Sequence, residues 1–156
     1  MNRSSSAVIL LCALAGVAGC DRRELAGPPT LRLGRDQCAE CGMLISEERC
    51  SSAVLFERDG RREYAMFDDI GCMLDHETTE APDRTTIDAF VRDHSTAQWV
   101  PAANAVFLVN ARELVRTPMG SGMIAFADRD GALEAQQQWG GDLTDYARLI
   151  GARAAK

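Results

Sequence analysis

"SSAVLFERDGRREYAMFDDIGCMLDHE", residues 51–77, contains the patterns that decide the fold. Two runs rich in β-branched and aromatic residues, 53–57 and 62–67, flank Asp59-Gly60, a dipeptide that is typical of tight β-turns. The first part of this stretch therefore predicts an antiparallel hairpin.

A helix is expected directly after the hairpin. Asp68-Asp69 provides an acidic first turn, which the helix dipole favours, and apolar residues then recur at helical spacing at Ile70, Met73 and Leu74. Beyond a loop that contains Pro82, the β-branched and aromatic residues of 85–94 predict another strand. The first half of the chain thus has the order ββαβ.

The second half repeats these patterns. Segments 104–110 and 122–127 predict strands because they are short and apolar. The segment 128–141 predicts a helix, with Asp128 as its N-cap and Gly140 as its end.

An internal duplication explains the recurrence. When Phe67-Asp68-Asp69 is placed over Phe126-Ala127-Asp128, Leu74 falls on Leu133. We therefore expect an α+β fold of two small repeated ββαβ units, followed by a helical tail over 144–156.

The N-terminus has the organisation of a bacterial lipoprotein signal. Arg3 is the only charged side chain before Asp21, and the apolar segment 7–19 has the length of a secretory signal rather than of a membrane span. Its end, Val17-Ala18-Gly19-Cys20, resembles a lipobox, in which the cysteine is acylated and becomes the first mature residue. We expect Cys20 to anchor the protein on the periplasmic side of a bacterial membrane. An ordinary signal peptide with a nearby cysteine is the alternative.

The chain divides into a signal peptide (1–19), a tether (20–30) and two ββαβ units (31–97 and 98–156). The tether is charged and then proline-rich, which is typical of a short linker. The formal net charge of the chain is −6. This acidic balance, without a basic patch, argues against nucleic-acid binding.

Four cysteines follow the tether: Cys38, Cys41, Cys50 and Cys72. An even number in an exported protein is compatible with two structural disulfides, and the C-x-x-C pair is also compatible with a thiol oxidoreductase. A structural zinc ribbon would need a second C-x-x-C or two closely spaced histidines, and the sequence has neither. Gly42 stands where C-x-x-C-H haem attachment would need histidine, which excludes that site.

Monovalent copper fits the residues around the C-x-x-C pair. Cu(I) is a soft ion that favours thiolate and thioether over oxygen, and Met43 lies two residues after Cys41. Met119 and Met123 lie in the glycine-rich segment 117–126, where a loop offers little core against which a methionine could pack. These residue types in this pattern favour a soft-metal site.

Other methionines and the histidines have more ordinary interpretations. Met66 and Met73 fit the apolar faces of a strand and a helix, so we expect them in the core. His76 and His94 are expected at surface or capping positions, although either could complete a soft-metal site.

Four motifs occur in order along the chain: the lipobox, "CAECGM" (38–43), "MFDDIGCML" (66–74) and "PMGSGMIAF" (118–126). Together they resemble the NosL family, lipoproteins that are encoded with nitrous oxide reductase and act as its copper chaperones. The resemblance implies two small ββαβ units, Cu(I) binding on the periplasmic side and delivery of copper to the multicopper sites of the reductase.

The resemblance also implies a ligand set. Cys41 and Met43 match the C-G-M motif of the family, and Met119 and Met123 match its M-G-x-G-M/L loop. Cys38, the first cysteine of the pair, is the remaining expected ligand.

A second group of residues belongs to the FDD segment. Asp68 and Asp69 match it, and we expect them to cap a helix or to support the metal site. Cys72 lies in the same segment and is a further candidate ligand, whereas Cys50 matches no motif of the family.

The function implied by the resemblance is a membrane-anchored Cu(I) carrier without catalytic activity. Its expected client is apo nitrous oxide reductase, and a homodimer is a further candidate assembly. Two alternatives remain open at this point: a periplasmic thiol-disulfide oxidoreductase, and a structural disulfide-bonded lipoprotein that serves as a scaffold.

Overall fold

A computed structural model describes residues 24–79, 84–111 and 115–155, so the predicted signal peptide and Cys20 lie outside the described residues. Within those ranges, seven strands form two antiparallel sheets that pack with three α-helices. The α+β class expected from the sequence is confirmed. No helix among these residues is long and apolar enough to cross a membrane.

The predicted hairpin forms half of the larger sheet. β1 (Ser52–Arg58) pairs antiparallel with β2 (Arg61–Phe67) in continuous register. Asp59 and Gly60 both have positive φ, 51° and 68°, as a two-residue turn between twisted strands requires. The turn residues thus fix the register of the pair.

Two further strands complete the larger sheet, and a helix connects the hairpin to them. α1 (Ile70–Thr79) follows the hairpin, and β3 (Thr85–Arg92) returns to pair with β1. β4 (Trp99–Pro101) then adds to β3 at the edge, which gives the strand order β2-β1-β3-β4. The expected ββαβ order is present, and the boundary between the two units at residue 97 stays a prediction.

The smaller sheet repeats this topology. β5 (Val106–Val109), β6 (Ile124–Phe126), α2 (Arg129–Trp139) and β7 (Asp142–Thr144) follow one another along the chain. The strand order β6-β5-β7 is antiparallel throughout and corresponds to β2-β1-β3 of the larger sheet. The tail forms α3 (Tyr146–Ala154), as the sequence indicates.

The ends of α2 follow the predicted capping pattern. The Asp128 carboxylate accepts a hydrogen bond of 2.8 Å from the Gly131 N–H and satisfies a donor that the first turn leaves free. Gly140 ends the helix with a φ of 72°, which few residues other than glycine adopt readily.

One hydrophobic core joins the two units. Buried side chains of α1 and β2 pack with Phe107 of β5 and Ala125 of β6, and α3 closes this core through Tyr146, Leu149 and Ile150. A second cluster lies on the opposite face of the smaller sheet, under α2. The smaller sheet therefore lies between the shared core and its own helix.

A buried carboxylate links the sheets at their contact. Asp93, 5% exposed, accepts hydrogen bonds from Thr96 of its own loop and from the Ala127 N–H of the second unit at 2.7 Å. The adjacent His94 N–H donates to the Ala125 carbonyl at 2.8 Å. These contacts fix the second unit against the end of β3.

Candidate metal centre

The C-x-x-C pair lies on a tight turn beside β2. The Cys38 N–H donates to the Met43 carbonyl at 2.7 Å, and the Gly42 N–H donates back to the Cys38 carbonyl at 2.8 Å. Gly42 has a φ of 74°, a conformation that a side chain would disfavour. The Ala39 N–H donates to the Met66 carbonyl at 2.8 Å and so attaches the turn to the end of β2.

Cys72 completes a cluster of three thiols. It is the third residue of α1, and its sulfur lies within 4.8 Å of the sulfurs of Cys38 and Cys41, which are likewise within 4.8 Å of each other. Cys38 and Cys72 are buried and Cys41 is half-buried. All three are free thiols, so they can converge on one soft metal ion.

The surroundings of Cys41 and Cys72 disfavour their thiolates in the absence of metal. Burial raises the pKa of Cys72, and the neighbouring Cys38 and Cys41 raise it further. Burial also raises the pKa of Cys41, although the Met43 N–H opposes part of that effect. A metal that binds here must displace these protons.

Asp68 holds the segment that follows the C-G-M motif. Its side chain is fully buried, and one oxygen accepts hydrogen bonds from the backbone N–H groups of Ser46 and Glu47 at 2.8 and 3.4 Å. The loop that carries the first two cysteines is thereby attached to the residues between β2 and α1.

Asp69 holds the methionine loop. One of its oxygens accepts the Gly71 N–H of the first helical turn at 2.7 Å. The other accepts three donors of the loop, the Thr117 hydroxyl at 2.7 Å and the N–H groups of Met119 and Ser121 at 3.0 and 3.5 Å. The two adjacent carboxylates therefore attach the two candidate ligand loops to one point, the start of α1.

The three methionines expected as ligands differ in exposure. Met43 and Met119 are 53% and 45% exposed, whereas Met123 is half-buried and packs on the core cluster that contains Cys38 and Cys72. Their roles as ligands stay predictions. Met73 is fully buried in the core and Met66 is half-buried.

Both histidines have other partners. His76 is buried, with Glu40 3.2 Å from its Nδ1 and Arg84 2.8 Å from its Nε2. His94 lies edge-on against Phe126 and Trp139, and burial followed by the charge of Arg49 lowers its pKa. His76 thus connects α1 to the C-x-x-C turn through Glu40 rather than offering a free ring nitrogen.

The structure groups the thiols differently from the sequence-based ligand set. Cys72, which was only a further candidate ligand in the sequence-based set, lies with Cys38 and Cys41. The one signal in the sequence for this position was that Cys72 falls in the first helical turn after Asp68-Asp69. Cys50 is also buried, but it lies outside this cluster, and burial raises its pKa to about 12.

Comparison with known proteins places this geometry in a family. No curated protein sequence matches the chain at a significant level. The fold is similar to the crystal structure of the copper chaperone NosL from Shewanella denitrificans, with a TM-score of 0.63 and 20% identity over 80% of this chain and 99% of that one. The family model of NosL matches residues 31–152, and the chain therefore belongs to the NosL family.

Proposed function

We propose that this protein is a lipid-anchored Cu(I) carrier on the periplasmic side of a bacterial membrane, without catalytic activity, that supplies copper to apo nitrous oxide reductase. The observation that carries the proposal is the convergence of three thiols within 4.8 Å beside the loop that Asp69 holds. Membership of the NosL family and the name of the Shewanella chaperone support the same assignment.

The thiol cluster suits monovalent copper. Cu(I) favours soft sulfur ligands, and the thiolates of Cys38, Cys41 and Cys72 would provide a trigonal set. The half-buried Met123 is the thioether best placed to join them, because it packs on the same cluster. Zinc would lack a fourth nitrogen or sulfur ligand of the kind that structural sites use.

The gradient of exposure favours release by ligand exchange. Cys38 and Cys72 are buried, Cys41 is half-buried, and the residues Met43 and Met119 are exposed. An incoming sulfur or nitrogen ligand can approach from the methionine side and attack the ion while the inner thiolates still hold it. This arrangement fits a carrier better than a permanent metal site.

The same environment disfavours a thiol-disulfide oxidoreductase. Reactive cysteines of that class have a lowered pKa, usually at the N-terminus of a helix or beside a cation. The pKa of Cys41 is raised by burial, and its turn is followed by the non-helical segment 44–47. Cys72 does lie in the first turn of α1, but burial raises its pKa as well. The observed surroundings would slow thiol exchange at neutral pH.

Competitive titration with Cu(I) and Zn(II) chelators tests the site. We expect Cu(I) to bind much more tightly than Zn(II), and Cys72→Ser to weaken Cu(I) binding at least about 100-fold, or about 2.7 kcal/mol. Cys50→Ser is the matched control, because it removes a buried thiol of the same unit outside the cluster. Equal losses of Cu(I) affinity in the two variants would show that removing any buried thiol weakens binding, whether or not it is a metal ligand.

X-ray absorption of the copper-loaded protein identifies the ligands. Three sulfur neighbours in the wild type, or four where Met123 joins the thiolates, and one fewer in Cys72→Ser would agree with the proposal. A sulfur count unchanged by Cys72→Ser, together with a lower count in Met43→Leu, would instead support a site centred on Cys41 and Met43.

Delivery and anchoring need separate measurements. The copper-loaded protein should transfer Cu(I) to apo nitrous oxide reductase faster than free chelated copper does, and a transfer rate no greater than that of the chelate would contradict the assignment of the client. Cys20→Ala should leave the protein outside the membrane fraction. Full retention with membranes would contradict the lipid anchor.

A further inference from the structure

The segment that precedes the C-x-x-C turn lies along β2. The Glu24 carboxylate is 3.0 Å from the Arg62 guanidinium, which also donates to the Leu25 carbonyl at 3.2 Å. The Tyr64 hydroxyl donates to the Gly27 carbonyl at 2.6 Å. Residues 24–27, called here the docked segment, are therefore attached to the domain by side chains of its edge strand.

The contacts also give the direction of the docked segment. Residues 24 and 25 lie at Arg62, residue 27 lies at Tyr64, and the chain reaches Met66 at Ala39. The chain thus progresses from the hairpin end of β2 towards its other end. It enters the domain beside the Asp59-Gly60 turn, and the thiol cluster lies at the opposite end of the strand.

Covalent geometry limits how far this entry point lies from the lipid. Only residues 21–23 separate Cys20 from Glu24. Four consecutive Cα–Cα steps span at most about 14 Å when fully extended. The two ends of β2, seven residues long, are about 20 Å apart at the rise of an antiparallel strand.

We propose that the β1–β2 hairpin end of the domain faces the lipid bilayer and that the thiol cluster is turned away from it. The proposal rests on acylation of Cys20, which is part of the proposed function. The hairpin end cannot leave the membrane surface by more than the short linker allows while the docked segment stays in place. Leu25, 42% exposed at this end, offers an apolar side chain to the interface.

In the opposite orientation, the thiol end of the domain would face the bilayer. That end has exposed apolar side chains, but the linker to Cys20 is too short to bring them to the lipid. Met43 and Leu44 are 53% and 50% exposed beside the thiols, so an apolar contact with lipid is conceivable there on exposure alone. The greatest span that covalent geometry allows between Cys20 and Glu24 is shorter than β2, so residues 43 and 44 could reach the bilayer only if the domain lay on its side or the docked segment detached. The anchor therefore leaves the copper site facing the aqueous compartment.

Energy transfer to a lipid-headgroup acceptor measures the orientation. The acylated protein in vesicles would carry a genetically encoded donor amino acid at Arg61, at the hairpin end, or at Leu44, beside the thiols. This labelling leaves the native cysteines untouched. A separation of about 20 Å along β2 should make transfer from position 61 at least about twofold more efficient than transfer from position 44.

Detaching the docked segment should remove this contrast. Arg62→Ala combined with Tyr64→Phe deletes all three contacts, and we expect the difference between the two donor positions to shrink towards zero. Glu63→Ala is the matched control, because it changes an exposed charge on the other face of the same strand and should preserve the difference. Unchanged Cu(I) affinity in each variant shows that the domain remains folded.

The outcomes separate the orientation from the anchor and the carrier function. Equal transfer from both positions, or stronger transfer from position 44, overturns the orientation while vesicle sedimentation still supports the anchor. Failure to sediment with vesicles overturns both the anchor and the orientation, but not copper binding. If the wild-type protein shows the difference between the two donor positions but does not bind Cu(I), the carrier function alone is overturned.

Discussion

The two ββαβ units use the same capping residue for different purposes. Asp128 caps α2 and, among the described residues, its carboxylate accepts the Gly131 N–H, a local interaction within the second unit. Asp69 occupies the corresponding position before α1, accepts the N–H of Gly71, two residues on, and uses its other oxygen for the loop of the second unit. A helix cap has thus become the connection between two candidate ligand segments.

The units also differ in the sulfur that they provide. All four cysteines beyond the tether lie in the first unit, whereas the second provides Met119 and Met123 from the loop between its first two strands. The strands of the second unit are only three or four residues long, against seven or eight for β1, β2 and β3. The first unit is a complete scaffold, and the second presents a loop to it.

Removal of the two capping carboxylates gives the largest expected contrast. Asp69→Ala would leave four donors around a buried position without their acceptor and should lower the free energy of unfolding by about 3 kcal/mol. Asp128→Ala should lower it by about 1 kcal/mol, as the loss of an ordinary N-cap does. Chemical denaturation measures both. Similar losses in the two variants would contradict a special role for Asp69.

The pH dependence of copper binding separates the thiols from the thioethers. Because the pKa values of Cys41 and Cys72 are raised, at least these two protons must leave when Cu(I) binds to the three thiolates, so affinity should rise at least about 100-fold per pH unit between pH 6 and 8, or about 2.7 kcal/mol. Cys72→Ser should lower the logarithmic slope by about one. Met119→Leu should weaken binding without changing the slope, and a changed slope would indicate that it disturbs the thiols.

The same pKa shifts affect the stability of the metal-free protein in alkaline solution. The folded state raises the pKa of Cys72, and that of Cys50 to about 12, so it disfavours their thiolates relative to the unfolded chain. This stabilisation is fully present below pH about 8.5, the usual thiol pKa, and is lost as the pH rises towards the folded values. Denaturation midpoints measured from pH 7 to 10.5 should fall, and Cys50→Ala should reduce that fall. A midpoint independent of pH over this range would contradict the raised values.

The glycines in the first turns of α1 and α2 offer a matched pair of substitutions. A Cβ on Gly71 would lie 2.8 Å from the Ser121 Cβ and 3.1 Å from an Asp69 oxygen, so Gly71→Ala should destabilise by about 2 kcal/mol. A Cβ on Gly131 would make only ordinary contacts, the nearest at 3.5 Å. Gly131→Ala should therefore stabilise by up to about 1 kcal/mol through helix propensity. Thermal unfolding of both variants checks the opposite signs.

The smallest effects on stability are expected at the exposed methionines. Met43→Leu and Met119→Leu should change the free energy of unfolding by less than about 0.5 kcal/mol, because both side chains lie largely in solvent. Met73→Leu, in the buried core, is the control and should cost up to about 1.5 kcal/mol without affecting Cu(I) affinity. Copper binding that is unchanged in both exposed variants would exclude thioether ligation at those positions.

The sequence predicted the secondary-structure elements better than the contacts between them. The hairpin at Asp59-Gly60 and the cap at Asp128 followed from local turn and capping chemistry, and the structure confirms both. β4 and β7 were not located, because three residues are too short to show a period of two. Local patterns thus sufficed where the strand-like or helical segment was about six residues or longer, as 122–127 is around the three-residue β6.

The thiol cluster depends on contacts that no local pattern contains. Cys38 and Cys72 are separated by the whole hairpin, and they meet only because the Ala39 N–H bonds the end of β2 while α1 starts at the same point. The roles of Asp68 and Asp69 as acceptors for two distant loops have the same origin. The helix-cap interpretation of Asp69 was correct for one of its oxygens and could not anticipate the other.

The Asp93 carboxylate at the contact of the sheets bears on how the duplication persisted. It is buried and accepts the Ala127 N–H, so a chain that lost the second unit would lose that donor and would expose to water the core side chains that now pack with Phe107 and Ala125. Such a chain would be selected against on folding alone, before any loss of metal binding. The second unit therefore stabilises the first through the shared core and these hydrogen bonds, whether or not it supplies a ligand to the metal.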